Sequence, residues 1–328
     1  MKIFITGATG FIGTHLAELL AKTRAEMYCL VRKRSPGVEH LRALGATLVP
    51  GDVTDRPSLV QGMRGCDWVF HLAGLYSFWE RRKERFKDVN ITGTRNVMES
   101  VLETGVSKVV HVSTVVVYGE PADTPFTEKS QVGPVRFSEY SQTKYEGDLI
   151  VWDLCEKKGL PVVVVYPSAV VGPGDPKATG QYIVNLIRRR LPATVFNSSV
   201  MTFVHVKDVA EVIVRAAEKQ NNIGEKYFAG KEEMSFRQLN QIVSQISGVP
   251  LPRLRLPDFL TMANSVLLTG LAGLIRRPPP WGMSLDQMRV MFHGFRVDGS
   301  KAERDLCISY TPIRIALEEA IASFRETE

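Results

Sequence analysis

Short runs of β-branched and apolar residues punctuate the first half of the chain at Lys2–Thr6, Met27–Val31, Thr47–Pro50, Trp68–Leu72, Val109–Ser113 and Val162–Tyr166. Each is followed by turn residues and then by a stretch whose apolar positions recur every three or four residues, as on a helix packed along one face. Strands that are apolar throughout have both faces covered, and strands alternating with helices read as βαβ units. The pattern predicts an α/β fold, a Rossmann-like doubly wound parallel sheet, whose ligands sit beyond the carboxyl ends of the strands. From about residue 170 the connections lengthen and carry more Pro and Gly, and Ser235-Phe-Arg-Gln238 opens a helix with a capping box. We therefore expect a dinucleotide-binding domain at 1–168 plus about 200–230, and a smaller α/β substrate-binding part at 169–199 plus 231–328.

Composition narrows the picture. The chain has 328 residues, 44% hydrophobic and 23% charged, which suits a large domain with a smaller partner and excludes wholesale disorder. Its formal net charge of +6 is modest, and the basic residues are spread out, so anionic small ligands are expected and nucleic acid is not. Cys29, Cys66, Cys155 and Cys307 lie far apart with no CxxC pattern, which fits a reducing compartment. The six histidines form no metal-binding spacing, so no metal is expected. The opening Met1–Thr6 segment reads as a strand rather than as the apolar core of a signal peptide, and the expected location is cytoplasmic.

The first chemical motif is Gly7-Ala8-Thr9-Gly10-Phe11-Ile12-Gly13, between the opening strand and the first helix. Glycines here allow a tight turn and a close approach of backbone to a pyrophosphate, at a helix N-terminus that favours negative charge. The second strand ends Leu30-Val31-Arg32-Lys33-Arg34, where an NAD site usually places an acid. No acid stands there. Arg32 is well placed for bidentate contact with a 2′-phosphate, so NADP(H) is favoured over NAD, with a solvated basic loop as the competing reading for Lys33 and Arg34. Asp52, at the end of the third strand, reads equally as a contact to the adenine amino group or as a helix cap.

The second motif is Tyr140-Ser-Gln-Thr-Lys144. Four residues apart on a helix, the ammonium lies beside the phenol, stabilises phenolate and lowers a pKa near 10 towards a working range. The strand Val109–Ser113 with Thr114 and then Tyr118-Gly119 delivers a pair of hydroxyls to the sheet edge where the glycine turn also lies.

With these residues in view, the chain resembles the extended short-chain dehydrogenases/reductases, the NAD-dependent epimerase/dehydratase family, over essentially its whole length. The matching segments are Thr6–Gly13, Gly51-Asp52, His71-Leu-Ala-Gly74, Asn90-Ile-Thr-Gly93-Thr94, Ser113-Thr114…Tyr118-Gly119, Tyr140-x-x-x-Lys144, Tyr166-Pro167-Ser168…Gly172-Pro-Gly174 and Phe203-Val-His-Val-Lys-Asp208-Val-Ala210. The chain is most similar to the branch of dihydroflavonol-4-reductase-like, hopanoid-associated epimerase-like and 3β-hydroxysteroid dehydrogenase-like proteins, through its basic second strand end, the Trp79 loop and the segment from Gly299 to Leu306. The resemblance implies a catalytic set of Thr114, Tyr140 and Lys144, with Ser113 beside substrate or cofactor. It implies that Gly7, Thr9, Gly10, Phe11, Ile12, Gly13, Arg32, Asp52, Val53, Leu72, Ala73, Gly74, Asn90, Lys144, Tyr166, Pro167 and Ser168 contact the cofactor. Asn90 reads equally as an organiser of water or of the Lys144 amine and as a turn or cap residue. Val115-Val116 replaces the acidic pair that sugar-nucleotide dehydratases carry after the catalytic threonine, so elimination is not expected.

Hydride arriving at a carbonyl builds negative charge on oxygen, which Tyr140 would quench by protonation while Thr114 holds the oxygen in line. Tyr76 and Trp79 are candidate substrate contacts, whereas Phe78 reads more readily as core packing. A charge-free run from Phe259 to Ile275 ends in Arg276-Arg277-Pro278-Pro279-Pro280-Trp281. An apolar lid, a peripheral membrane contact through 259–281, and burial against the domain or a dimer partner all fit it. The expected enzyme is an NADP(H)-dependent carbonyl reductase or alcohol dehydrogenase acting on a hydrophobic ketone or secondary alcohol. A nucleotide-sugar epimerase and a non-catalytic NADP-sensing module are the alternatives, and a homodimer is expected from the long helices after Arg81 and Glu139.

Overall fold

The computed structural model describes residues 1–33 and 35–326. Its strands are β1 (Lys2–Thr6), β2 (Glu26–Val31), β3 (Thr47–Pro50), β4 (Trp68–His71), β5 (Lys108–Val112), β6 (Val162–Pro167), β7 (Ala169–Val171), β8 (Ala193–Thr194), β9 (Val200–His205), β10 (Lys226–Ala229), β11 (Glu232–Ser235) and β12 (Leu254–Arg255). Seven of them form one parallel sheet in the order β10-β6-β5-β4-β1-β2-β3. The expected doubly wound sheet is present. The order reverses at β1, which pairs with β2 on one side and β4 on the other, so their carboxyl ends open a crevice.

Both faces of the sheet are covered, as strands without polar alternation require. Val163, Val165, Ile3 and Ile5 pack with the helices Phe11–Leu20 and Val206–Glu218 on one face. Val109, Val162, Val164 and Phe4 pack with Thr94–Thr104 and Glu139–Lys158 on the other. The strands β11-β9-β7 and β12-β8 make two smaller sheets, and a third apolar cluster holds them to helices of the C-terminal part. The expected capping box opens the helix Phe236–Ser247, where Ser235 and Gln238 bond reciprocally.

Three expectations are corrected. The segment expected to return to the large domain at about residue 200 first builds β9 of a small sheet, and rejoins the cofactor domain only with the helix Val206–Glu218 and β10. Ala302, Leu306 and Ile308, expected in the substrate part, pack into the core of the large sheet, because the chain crosses back beside β10. The apolar run is a helix over Asp258–Ile275 whose burial is one-sided: Thr261, Ser265 and Ala272 are buried against the domain, while Phe259 is 71% and Leu274 81% exposed.

Candidate functional site

The glycine turn is shaped by space. Gly7 adopts φ +77°, and a side chain there would meet the Ala73 nitrogen at 2.6 Å and the Leu72 carbonyl carbon at 2.7 Å. A Cβ on Gly13 would lie 2.1 Å from the Gly7 oxygen. The turn, the loop Leu72–Gly74 after β4 and the helix start at Phe11 are thus pressed together, which also positions Thr9, Gly10 and Ile12. The helix Phe11–Leu20 has no side-chain cap and no acid in its first turn, so nothing in its own first turn competes for its leading amides. That cradle fits a dinucleotide pyrophosphate.

Beyond it, Val31, Arg32, Lys33, Ser35, Gly37, Glu39 and Arg42 line an open cavity of about 520 Å³. Gly37 approaches Thr9, so the cavity adjoins the glycine turn. Arg34, the third cation of this strand end, lies outside the described residues. Among the described residues the only acid on the cavity wall, Glu39, is paired with Arg42. Asp52 acts locally: its Oδ1 accepts from the Thr54 amide at 3.0 Å and hydroxyl at 2.8 Å in a turn, and it does not cap the helix Arg56–Met63, whose N-cap residue is Asp55. Val53 is buried core, and its carbonyl accepts from Asn96.

The helix Glu139–Lys158 presents the reactive groups. Ser138 and Ser141 form its capping box, and Asp286 of the C-terminal part accepts the Glu139 amide at 2.9 Å. Tyr140 and Lys144, one turn apart, both reach the end of β5. The Thr114 hydroxyl stands close enough to the Tyr140 phenol to favour its ionised form, and the Lys144 ammonium donates to the Val112 carbonyl at 3.1 Å. Both side chains are buried. Burial pushes the Tyr140 phenol above its ordinary value, against the pull of Thr114. Burial also pushes the Lys144 ammonium down, while the Asp148 carboxylate one turn further pushes it up. The expected lowering of the phenol by Lys144 is not seen: the downward pull comes from Thr114, and desolvation outweighs it.

Beneath these groups lies a polar layer that local sequence reading missed. Asp148 accepts from His111 Nε2 at 3.1 Å and from the Ser113 hydroxyl at 2.7 Å. The His111 ring stacks on His71 at 5.1 Å, His71 Nδ1 and the Thr6 hydroxyl share a hydrogen bond at 2.8 Å, and the Thr6 oxygen accepts from the Ala73 amide. Ser113 is therefore corrected from a cleft residue to a buried link, since neighbouring residues leaving a strand face opposite ways. Asn90 sits in a π-helical turn, Asp88–Gly93. Its Oδ1 accepts the Leu75 amide, and its amide nitrogen donates to the Leu75 carbonyl and to Thr143 Oγ1, fastening the β4 loop to the reactive helix.

Around Tyr140 the rings of Tyr76 and Phe78 pack edge-on at 4.9 and 6.3 Å. Phe78, for which packing is the stronger expectation, packs on the third apolar cluster as well as on the Tyr140 ring. Trp79 is held in a turn by Ser77 and has no ring contact to Tyr140. Tyr166 is corrected to core: its ring lies among Tyr118 and Phe228 and its phenol accepts from Trp152, because a bulky side chain on a central strand must take one covered face. Pro167 ends β6, and the Ser168 hydroxyl faces Gly230 without a hydrogen-bond partner among the described residues.

A model of the NAD dependent epimerase/dehydratase family matches residues 3–230. The chain is 31% identical to sterol demethylase protein B of Methylococcus capsulatus over 99% of both chains. It is 29% identical to a Synechocystis sp. protein whose name assigns it to dihydroflavonol 4-reductase, over 98% of this chain and 94% of that one. The solved structure of gox2253 superposes with a TM-score of 0.84 at 33% identity, covering 99% and 98% of the two chains.

Two outcomes follow from the geometry. Gly13→Ala should weaken dinucleotide binding by more than tenfold in titration calorimetry; unchanged affinity would contradict the packed turn. Burial, then the other charges of the layer, hold His71 below the ordinary histidine value, and burial does the same to His111. Unfolded histidines bind protons as pH falls through about 6.5 and these do not, so folding stability falls with pH there. The slope of Tm between pH 7 and 5 should flatten in His71→Gln whatever its absolute Tm, and an equal slope would refute the assignment.

Proposed function

Because the chain belongs to the NAD dependent epimerase/dehydratase family and is an NAD(P)-dependent enzyme of the short-chain dehydrogenase/reductase superfamily, we propose that it is an NADP(H)-dependent carbonyl reductase or alcohol dehydrogenase. Its substrate is a hydrophobic ketone or secondary alcohol of the dihydroflavonol, sterol or acyl kind. The observation that carries the reading is the buried Tyr140 phenol, set beside Thr114 and flanked by the rings of Tyr76 and Phe78. Val115 and Val116, which follow Thr114, supply neither acid nor base for elimination.

The nicotinamide group, when bound, supplies a hydride to the carbonyl carbon or takes one from the alcohol. The glycine turn and the first helix would hold the diphosphate, Arg32 and Lys33 would take the 2′-phosphate, and Lys144 would steady the ribose. Tyr140 gives its proton to the carbonyl oxygen as negative charge develops there, and Thr114 donates to the same oxygen. In the reverse direction Tyr140 takes the alcohol proton. Apolar walls exclude water, so the few polar groups left act at full strength.

The family description names NAD, and an epimerase using the cofactor transiently is the second reading. The basic wall of the adenosine cavity favours the reductase, since a 2′-phosphate is what an arginine there recognises. Purified enzyme should consume NADPH with a panel of apolar ketones. Tyr140→Phe should lower kcat by about 10²–10⁴-fold, the usual contribution of a positioned acid. NAD retained through purification, together with interconversion of sugar nucleotides, would replace this reading by the epimerase. Arg32→Ala should raise KM for NADPH about 10- to 100-fold, in line with the loss of a charged hydrogen bond, and leave NADH nearly unaffected. Equal effects on both cofactors would remove Arg32 from phosphate recognition.

A further inference from the structure

The helix Asp258–Ile275 is apolar on the side it shows to solvent. Phe259, Val266, Leu267, Leu271 and Leu274 share one face and are exposed, while Thr261, Ser265 and Ala272 are buried on the other side and Met262 and Leu268 pack on the third apolar cluster. The inward hydroxyls are satisfied within the fold: Thr261 donates to the Pro257 carbonyl at 3.1 Å, Ser265 to the Met262 carbonyl at 2.7 Å, and Thr269 accepts the Leu285 amide at 2.8 Å. A helix facing water carries its polar residues outward. This one carries leucines.

The helix does not cross a membrane. At 1.5 Å per residue its 18 residues span about 27 Å, but its inner face is covered by the domain, and Thr269 and Asn264 bind it to Leu285 and Met283. It can meet an apolar phase only with its outer side. Charge decides which phase. Arg253 and Arg255 precede the helix, Arg276 and Arg277 follow it, and all four are exposed; Asp258 is the only acid in that stretch. A symmetric pairing of two copies along this face sets cations against cations whether the helices run parallel or antiparallel. Anionic lipid headgroups neutralise them instead, with the exposed Trp281 at the interface.

We propose that the outer face of Asp258–Ile275 docks this protein flat on an anionic lipid bilayer, its side chains in the acyl boundary and its flanking arginines among the headgroups. The inference does not depend on which substrate is turned over. It is tested by sedimentation of the full-length protein with vesicles of phosphatidylcholine, with and without phosphatidylglycerol. Binding is expected with phosphatidylglycerol, weakened by salt. Leu267→Gln/Leu274→Gln and, separately, Arg276→Glu/Arg277→Glu should each reduce it at least tenfold while leaving cofactor affinity unchanged. Protein that stays in the supernatant with anionic vesicles overturns the proposal. So does retention of binding by both variants, or light scattering in which Leu267→Gln/Leu274→Gln converts a dimer to monomer, which would assign the face to a second copy.

Discussion

Asp148 is a charge shut into the layer between β5 and the helix Glu139–Lys158, and a buried carboxylate is tolerated only when its lone pairs are met and a cation stands near. His111 and Ser113 meet them from the strand, and Lys144, one turn up the same helix, is the cation. The arrangement locks helix to strand in one register. From that register follow the reach of Lys144 to the Val112 carbonyl and of Tyr140 to Thr114. The reactive groups are thus placed by an electrostatic demand made beneath them.

A second set of bonds ties this unit to the rest of the site. Asn90 fastens the β4 loop to Thr143, and that loop in turn presses on Gly7. The cofactor turn and the reactive helix are therefore joined by a continuous set of contacts. Across the cleft, Asp286 caps the same helix from the C-terminal part, so the part expected to hold substrate also fixes where the phenol begins. The helix that packs beside Leu285 carries the exposed apolar face, which puts that face one layer from the reactive groups.

Much of this was readable in the residues alone, and the reason is range. The glycine motif is written within seven residues, although Gly7 also packs on Leu72 and Ala73; the Tyr140–Lys144 pair needs one helical turn, and the capping box at Ser235 three residues. Apolar runs without alternation announce a sheet covered on both sides. Such features are local, and local geometry follows from residue type and spacing.

The partners of Asp148 lie 35 and 37 residues away, and Asp286 lies 147 residues from the amide it caps. No spacing rule reaches that far. Strand alternation alone could have divided Ser113 from Thr114, but only the packing determined which of the two faces the cleft. Composition likewise announced an apolar helix at Phe259–Ile275 without telling which side it would show to solvent, because buried and exposed leucines are the same letter. The sequence by itself determined the local shapes and the chemical groups they carry. Tertiary structure decided which distant groups share a buried space, since desolvation and charge pairing act through space and not along the chain.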